Sequence, residues 1–406
     1  MPTVVLVGTL DTKGREYAFL RDRLGEAGVD VLVVDAGIHD PVGLEPDVSR
    51  VEVARAAGAD AEALGAAGDR GAAVTAMGAG AEAVVRDLHA RGRLDGIAAL
   101  GGSGGSSIAA RTMQALPVGV PKLLVSTLAS GDTRPYVGAV DVTMMYSVVD
   151  ISGVNRVSAR IIANAAAAIG GMVRAAPPAL DGKPLVAATM FGVTTPCVTR
   201  ARERLEELGY EVLVFHATGS GGRSMEALAK DGFLAGVLDV TTTELADELV
   251  GGVLSAGPDR LEAAGAAGVP QVVSLGALDM VNFGPRETVP PQFEGRNLYV
   301  HNPTVTLMRT TKEECAELGR TIGRKLAAAA SPTAVFVPLG GVSMIDVPGQ
   351  PFHDAEADAA LVAALKAELD GRVELHEREE DVNDPAFAVA MADRLHELIQ
   401  ETRRDA

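Results

Sequence analysis

The sequence of 406 residues contains no tryptophan, and only 3% of its residues are aromatic although 47% are hydrophobic. Valine, leucine, isoleucine and alanine must therefore form most of the core. Such a core is typical of α/β proteins whose parallel sheets are buried on both faces. A chain of this length is expected to form about two or three domains.

Cysteine is also scarce. The two cysteines, Cys197 and Cys315, share no metal-ligand spacing and form no disulfide framework, which favours a reducing compartment. The N-terminal segment Met1–Leu10 lacks the basic region of a signal peptide, and the longest uncharged apolar run, Ile161–Val173, is too short to span a bilayer. The sequence therefore predicts a soluble cytoplasmic protein.

Basic residues are outnumbered, with 36 lysines and arginines against 54 acidic residues and a formal net charge of −18. No basic stripe is present to release counterions from a polyanion. Nucleic acid and anionic membranes are therefore excluded as main partners. A site for a small anion would have to be a local positive feature in a negative field.

A segment near the N-terminus recurs in the middle of the chain. Val4–Gly37 aligns without gaps with Leu185–Thr218, and both copies read as strand, loop, amphipathic helix, glycine and strand. An insertion of roughly forty residues, around Ile38–Met77, interrupts the first copy at a surface connection. The predicted fold is α/β, with two Rossmann-like doubly wound parallel-sheet domains related by internal duplication.

The stretch Ala175–Pro184 is rich in proline and glycine, and it ends a predicted helix over Ser152–Arg174. We therefore expect domains at residues 1–178 and 184–406. In doubly wound sheets, ligands bind beyond the carboxyl ends of the strands. The loops at these ends differ between the two copies, which predicts two different sites on one fold.

Four glycines follow one strand of the first copy. Ile97–Leu100 leads into Gly101–Ser107, and a helix is predicted from about Ile108. Glycines let the backbone approach a ligand closely, and the N–H groups of a helix N-terminus bind phosphate or carboxylate. The alternative is a tight strand-to-helix turn with a serine cap.

The loop Gly8–Gly14 places a lysine, two threonines and an aspartate before another helix. It matches neither the P-loop nor the dinucleotide-binding fingerprint. Lys13 nevertheless suits a phosphate group, and Asp11 suits Mg²⁺ or a hydroxyl group. In the alternative interpretation, Asp11 caps the helix and Lys13 is solvated.

Asp35 ends the second strand, where an acidic residue commonly contacts a ribose hydroxyl; otherwise it is a cap or turn residue before Gly37. A small, hydroxyl-rich loop, Ser126–Thr133, follows another strand. The candidate nucleotide-binding residues are Gly8, Thr9, Asp11, Thr12, Lys13, Gly14, Asp35, Gly37, Gly101, Gly102, Ser103, Gly104, Gly105, Ser106, Thr127, Ser130 and Gly131.

The second copy carries other candidates, namely His216, His301, Arg309 and His353, which we place at strand ends or on the loops that follow them. If they converge, Arg309 or His301 would hold a substrate carboxylate while another histidine transfers a proton or binds a metal of unknown identity. Any one of them alone is more often a hydrogen-bonded structural residue.

Five motifs occur in a fixed order along nearly the whole chain. They are GTLDTKG (8–14), VVDAG (33–37), ALGGSGGSS (99–107), HNPTVTLMR (301–309) and PLGGVSMID…PGQPFHD (338–354). Together they resemble the ATP-binding domain family named for the tomato mosaic virus resistance protein. The resemblance implies two Rossmann-like subdomains, ATP and Mg²⁺ bound by the N-terminal one, and a homodimer or higher homo-oligomer.

Three functional hypotheses follow. The first is a cytoplasmic nucleotide-binding protein, an enzyme acting on a small carboxylate or phosphorylated metabolite in a cleft between the domains. The second is an ATP-independent hydrolase or lyase, with the glycine loop as an anion seat and the C-terminal histidines and arginine, with or without a metal, for acid–base chemistry. The third is a ligand-binding module without catalysis.

Overall fold

A computed structural model describes residues 1–176, 182–369 and 371–405. The chain divides into two compact units, Met1–Ala179 and Leu180–Ala406. Half of the predicted linker, residues 177–181, lies outside the described residues. Among the described helices, none combines the length and the apolar character that a membrane span requires.

The first unit is built on a five-stranded parallel sheet with the order β2-β1-β3-β4-β5. Its strands are β1 (Thr3–Gly8), β2 (Asp30–Asp35), β3 (Gly96–Gly101), β4 (Lys122–Ser126) and β5 (Thr143–Tyr146). Its helices are α1 (Leu10–Glu26), α2 (Arg50–Ala56), α3 (Ala61–Ala67), α4 (Arg70–Ala90), α5 (Ser103–Gln114), α6 (Arg134–Val137) and α7 (Arg156–Met172).

Both faces of this sheet are buried. Successive residues of a strand point to opposite faces, so Val4 and Leu6 pack with α1 and α7, whereas Val5 and Val7 pack with α2, α4 and α5. The aliphatic composition is explained by this arrangement, because each strand contributes side chains to two cores.

The second unit contains a six-stranded parallel sheet with the order β7-β6-β8-β9-β13-β14. Its strands are β6 (Leu185–Met190), β7 (Glu211–His216), β8 (Gly236–Thr241), β9 (Gln271–Gly276), β13 (Thr333–Pro338) and β14 (Glu374–Arg378). Its helices are α8 (Thr195–Glu207), α9 (Ser220–Lys230), α10 (Thr243–Val250), α11 (Ala263–Ala266), α12 (Lys312–Ala327), α13 (Ala355–Glu368) and α14 (Pro385–Asp405).

The prediction of a two-domain parallel α/β fold is confirmed, but the second unit also holds a small antiparallel sheet that the sequence did not indicate. Its order is β10-β12-β11, formed by β10 (Met280–Phe283), β11 (Leu298–Asn302) and β12 (Val305–Arg309). Single short apolar runs such as these do not reveal whether a strand joins a parallel or an antiparallel sheet.

The two parallel sheets repeat one topology, since β2-β1-β3-β4 corresponds to β7-β6-β8-β9. Gly8 pairs with Asp35 at the end of the first pair, and Met190 pairs with His216 at the end of the second. The ungapped alignment equates Gly8 with Thr189 instead, so it is wrong by one residue at this strand. The segment between the two paired strand ends, from Gly8 to Asp35 in the first copy and from Met190 to His216 in the second, is therefore one residue shorter in the second copy.

The glycine loop itself forms the beginning of a helix. Helix α5 begins at Ser103, earlier than the predicted start near Ile108. A Cβ atom at Gly101 would lie 2.6 Å from the backbone nitrogen of Ser106. The glycines therefore allow α5 to turn back onto the end of β3 without an intervening loop.

Tyr17 of α1 lies fully buried beneath these strand ends. Its hydroxyl accepts a hydrogen bond from the Leu100 N–H at 2.7 Å and lies 2.6 Å from the Val7 carbonyl oxygen, to which it donates. A Cβ atom at Gly8 would overlap the Tyr17 ring. Tyr17 thus joins β1 to β3 directly below the loops that follow them.

We expect Tyr17→Phe to lower the free energy of unfolding of the first unit by about 1–3 kcal/mol, because it leaves the buried Leu100 N–H without a partner. Tyr146→Phe is the matched control, since Tyr146 is 44% exposed and should change stability by less than about 0.5 kcal/mol. Urea unfolding followed by circular dichroism measures both. Equal stability of the two variants would show that the buried hydroxyl does not brace the strands.

Candidate functional site

A cavity of about 770 Å³ lies at the carboxyl ends of the strands in the first unit. It is bordered by the loops that follow β1, β2, β3 and β4. Of the predicted nucleotide-binding residues, those lining it are Thr9, Asp11, Thr12, Lys13, Gly37, Gly102, Ser103, Gly104, Gly105 and Thr127. The remaining ones, which do not line it, are Gly8, Gly14, Asp35, Gly101, Ser106, Ser130 and Gly131.

One wall of this first-unit cavity comes from the insertion that the second copy lacks. The insertion folds into α2, α3 and the start of α4, and its lining residues are Gly65, Gly68, Asp69, Arg70, Ala73, Val74 and Met77. From the sequence alone, this segment was expected only to be a tolerated addition at the surface. Because the insertion occurs only in the copy that carries the glycine loop, the sequence already contained an indication that the two belong to one site.

The floor of the cavity suits an anion. Gly102 is the N-cap of α5 and no side chain caps this helix, so its first N–H groups are free to bind a ligand. The guanidinium of Arg70 lies across from this terminus, with Nη2 3.6 Å from the position of a Cβ atom at Gly104. Among the described residues, Arg70 has no recorded hydrogen bond or ion pair.

Lys13 is held at the edge of the cavity rather than solvated. Its ammonium donates a hydrogen bond to the carbonyl oxygen of Ile151, and the backbone at Lys13 departs from helical geometry with φ −131° and ψ 17°. This local irregularity aligns the amine with the segment before α7. Lys13 and Arg70 both line the cavity and supply its positive charge.

Asp11 and Asp35 connect the loops that follow β1 and β2. Asp35 Oδ1 accepts hydrogen bonds from the N–H groups of Leu10 (3.1 Å) and Gly37 (2.8 Å). Asp11 Oδ2 accepts from the N–H of Ile38 at 3.1 Å, so Asp11 does not cap α1. Burial raises the pKa of Asp35, and the neighbouring carboxylate of Asp11 adds to the shift.

The second oxygens of these two carboxylates, Asp11 Oδ1 and Asp35 Oδ2, are buried and have no hydrogen-bond partner in the described structure. A Cβ atom at Gly37 would lie 2.9 Å from Asp11 Oδ1 and 3.0 Å from Asp35 Oδ1, so only glycine fits between them. Unpartnered carboxylate oxygens are suitable ligands for Mg²⁺. The residues therefore fit the metal that the resemblance implied.

In the second unit, the position equivalent to the glycine loop is filled by side chains. Thr241–Glu244 replaces Gly101–Gly104, and all four residues are fully buried. Glu244 Oε1 accepts hydrogen bonds from the N–H groups of Gly219 (2.6 Å) and Gly222 (3.1 Å) at the start of α9. This helix N-terminus therefore already binds a carboxylate of the chain itself.

Arg260 neutralises this internal carboxylate. It is 1% exposed, and its guanidinium donates to Glu244 Oε2 at 2.7 Å, to Asp239 Oδ1 at 2.8 Å and to Glu226 Oε1 at 3.2 Å. Thr189 in turn donates to Asp239 at 2.7 Å. Because its partners are saturated and buried, this cluster is a structural element and not an open binding site.

Of the four predicted catalytic residues, the structure brings Arg309 and His353 together. Arg309 Nη2 contacts Asp346 (3.3 Å) and Asp358 (2.6 Å), and His353 groups with the same two aspartates. His301 and Arg309 lie at or near the ends of β11 and β12, but these strands belong to the antiparallel sheet and not to the parallel one. Arg309 nevertheless contacts Asp346, in the segment that follows β13 of the parallel sheet.

His216 and His301 have other surroundings. The ring of His216 stacks on Phe191 with centroids 5.3 Å apart, and the exposed ring of His301 lies 6.4 Å from that of Tyr299. No recorded contact among the described residues joins either histidine to Arg309.

Family comparisons place the two units in one sequence family. Residues 2–178 match the N-terminal domain, and residues 183–399 the C-terminal domain, of a family described as "Uncharacterised protein family (UPF0261)". A UPF0261 protein of Clostridium tetani is 54% identical over 98% of this chain and 99% of its own length. Another, from Mesorhizobium japonicum, is 47% identical over 97% of this chain and 98% of its own length.

The tomato (Solanum lycopersicum) ToMV resistance protein Tm-1 is 40% identical over 99% of this chain but only 56% of its own length. This chain thus spans little more than half of the tomato protein. The relationship inferred from the five motifs is confirmed at the level of the family.

Solved structures give only distant overlaps. MurG of Acinetobacter baumannii is 12% identical over 99% of this chain and 93% of that chain, with a TM-score of 0.22. A putative UDP-N-acetylglucosamine 2-epimerase of Listeria monocytogenes is 11% identical over 100% and 97%, with a TM-score of 0.24. At these TM-scores the overlaps carry no argument about function.

We expect Gly104→Val to fold normally but to block ligand binding in the first-unit cavity. A Cβ atom there would meet only the side chains of Arg70 and Val74, both at 3.6 Å, inside the cavity. Gly101→Ala is the contrasting variant, because its Cβ would clash with the backbone of α5 and destabilise the unit by about 1–3 kcal/mol. Thermal unfolding with and without ATP distinguishes them. If ATP raises the unfolding temperature of Gly104→Val as much as that of the wild type, this cavity is not the ATP site.

We expect Arg260→Met to lower the free energy of unfolding of the second unit by about 3–5 kcal/mol, because Glu244 and Asp239 would remain buried without a cation. Arg200→Met removes a surface ion pair and should cost less than about 1 kcal/mol. Chemical unfolding of both variants tests this. A stable Arg260→Met protein would contradict a structural role for the cluster.

Proposed function

This chain belongs to UPF0261, a family without a characterised function, and we propose that its first unit binds a nucleoside triphosphate, ATP with Mg²⁺, in the first-unit cavity. The observation that carries the proposal is the uncapped N-terminus of α5 facing the unpaired guanidinium of Arg70 across one cavity. A helix N-terminus and two cations together favour a polyphosphate over a single carboxylate.

Phosphate groups would occupy the floor of the cavity. The N–H groups of Ser103, Gly104 and Gly105 in the first turn of α5 would each donate to phosphate oxygens. Arg70 would approach from α4 and Lys13 from α1. Because the whole chain carries a charge of −18, this local cluster of donors is needed to overcome repulsion of an anionic ligand.

The base would lie against the apolar wall. Side chains of Ile38, Ala73, Val74, Met77 and Ile108 line this part of the cavity. Apolar side chains on several sides of a planar ring remove its faces from water, and methionine adapts to the ring shape. The volume of about 770 Å³ lies within the range that small-molecule and cofactor sites occupy.

Mg²⁺ would be held by Asp11, whose Oδ1 atom has no hydrogen-bond partner. A magnesium ion bridging this carboxylate and the phosphates would neutralise charge on both. Asp35 does not line the cavity; it fixes the loop that carries Asp11 through the N–H groups of Leu10 and Gly37.

The proposal concerns binding by the first unit. An enzymatic reaction on a small anionic metabolite remains a prediction, since the nucleotide would be either a substrate or a regulatory ligand. The rival ATP-independent hypothesis places its chemistry on Arg309 and the C-terminal histidines, of which Arg309 and His353 share contacts with Asp346 and Asp358 while His216 and His301 have other neighbours. We therefore favour nucleotide binding.

We expect Lys13→Ala and Arg70→Ala each to weaken ATP binding by roughly tenfold or more, because a hydrogen bond to a charged group contributes about 1.5–3 kcal/mol. Binding of AMP should weaken less, and adenosine should be unaffected. Arg15→Ala is the control, since Arg15 is exposed on α1 and does not line the cavity. Isothermal titration calorimetry with the three ligands measures this series.

Two results would count against the proposal. If wild-type protein binds neither ATP nor Mg²⁺–ATP, the cavity has another ligand. If Lys13→Ala and Arg70→Ala weaken adenosine as much as ATP, both residues shape the cavity and do not bind phosphate.

A further inference from the structure

Three carboxylates surround a single guanidinium in the second unit. Asp279, Asp346 and Asp358 lie around Arg309, and the exposed side-chain fractions are 5% for Arg309, 0% for Asp346 and 22% for Asp358, while Asp279 as a residue is 1% exposed. One positive charge therefore faces three acidic groups in a largely dry site. We call these four residues with His353 the Arg309 cluster.

The carboxylates of this cluster carry more negative charge than the single guanidinium of Arg309 can neutralise. Arg309 also donates from Nε to the Phe352 carbonyl oxygen (2.7 Å) and from Nη1 to Thr310 Oγ1 (2.8 Å), so only Nη2 is directed at the carboxylates. Its guanidinium orients Asp346 and Asp358 without neutralising both. A further cation or bound protons must balance the remaining charge.

The geometry of three members suits a metal ion. One oxygen of Asp346, one oxygen of Asp358 and one ring nitrogen of His353 all lie within 4.8 Å of one another. Carboxylate oxygens and an imidazole nitrogen together are typical ligands of divalent transition metals such as Mn²⁺, Fe²⁺ and Zn²⁺.

The orientation of His353 also matches that of a ligand. Its Nδ1 lies 2.9 Å from the backbone carbonyl oxygen of Asp346. A carbonyl oxygen can only accept, so Nδ1 carries the hydrogen and the neutral ring keeps its lone pair on Nε2. A backbone carbonyl that fixes the tautomer in this way is a common partner of metal-bound histidine.

An independent observation comes from Asp279, which is not one of the three ligand candidates. Its Oδ2 accepts a hydrogen bond from Ser343 Oγ at 2.8 Å, in the turn that leads to Asp346. Its Oδ1 is buried and has no hydrogen-bond partner in the described structure. The charge of Arg309 acts on this carboxylate, which places Asp279 beside the same group of acids. This unpartnered buried oxygen adds to the cluster an acceptor whose burial a nearby cation would compensate.

A route to the cluster is present. A cavity of about 530 Å³ is lined by His353 and Asp358 together with Gly340, Gly341 and Lys366. Two of the three candidate ligands therefore border open space, and an ion can reach them without unfolding of the unit.

We propose that Asp346, His353 and Asp358 form a binding site for a divalent transition-metal ion, with Arg309 and Asp279 orienting and balancing the ligands around it. The site belongs to the second unit and is independent of nucleotide binding by the first. The ion would be bound through two carboxylates and one imidazole, leaving positions open towards the cavity for water or an anionic substrate group.

Mn²⁺ titration of the nucleotide-free protein, after treatment with EDTA and followed by electron paramagnetic resonance, tests this site. The wild type should bind about one equivalent with high affinity. Loss of a ligand's supporting partner typically weakens metal affinity by about 10–100-fold, so His353→Gln and Asp358→Asn should each weaken binding by at least about tenfold. His301→Gln, at an exposed histidine of the same unit, should leave affinity unchanged.

Two outcomes would overturn the proposal: wild-type protein that binds no Mn²⁺ at millimolar concentration, or His353→Gln protein with unaltered affinity. Thermal unfolding verifies that each variant is folded, and the exposed position of His353 makes its variant the decisive one. Because ATP binding is measured separately, failure of this site and failure of the proposed nucleotide site are distinguishable.

Discussion

The first unit depends on the close contact between α5 and the end of β3, which only a residue without a side chain allows. At Gly101 a Cβ atom would lie 2.6 Å from the Ser106 nitrogen. Gly8 makes a second contact of this kind, because the ring of Tyr17 occupies the space that a side chain at residue 8 would need. These contacts bring the N-terminus of a helix to the surface of the sheet without a loop between them, and they leave a cavity above it.

The second unit starts from the same topology and reaches the opposite result. There, Thr241–Glu244 occupies the space above β8, and Glu244 accepts hydrogen bonds from N–H groups at the start of α9, the helix that follows β7. Arg260 then compensates the buried charges. One copy has an open cavity, and the other has a buried cluster of carboxylates paired with Arg260. The two copies differ in the side chains that follow the third strand and in the inserted helices that form one wall of the first-unit cavity.

The sequence was sufficient to predict which loops of the first unit meet, because parallel strands bring their carboxyl ends to one edge whatever the details of packing. It was insufficient for Arg70, whose position depends on how α3 and α4 fold over that edge. The sequence also did not show that His301 and Arg309 lie in an antiparallel sheet, since the pairing of short strands is decided by tertiary contacts. It pointed to Arg309 and His353 but not to their acidic partners, because these come from distant segments, which are 67 residues apart at Asp279 and Asp346.

The buried ion cluster around Arg260 has a consequence for how the two halves can diverge further. Replacing any one member leaves the opposite charges buried without a partner. The effects of mutations on stability are also strongly non-additive for residues that belong to one such network. A route back to an open cavity would require the arginine and its acidic partners to change together. Single mutational steps along that route pass through poorly folded intermediates. The structural difference between the two copies is therefore held in place by epistasis, because the mutations that would reverse it are tolerated only together.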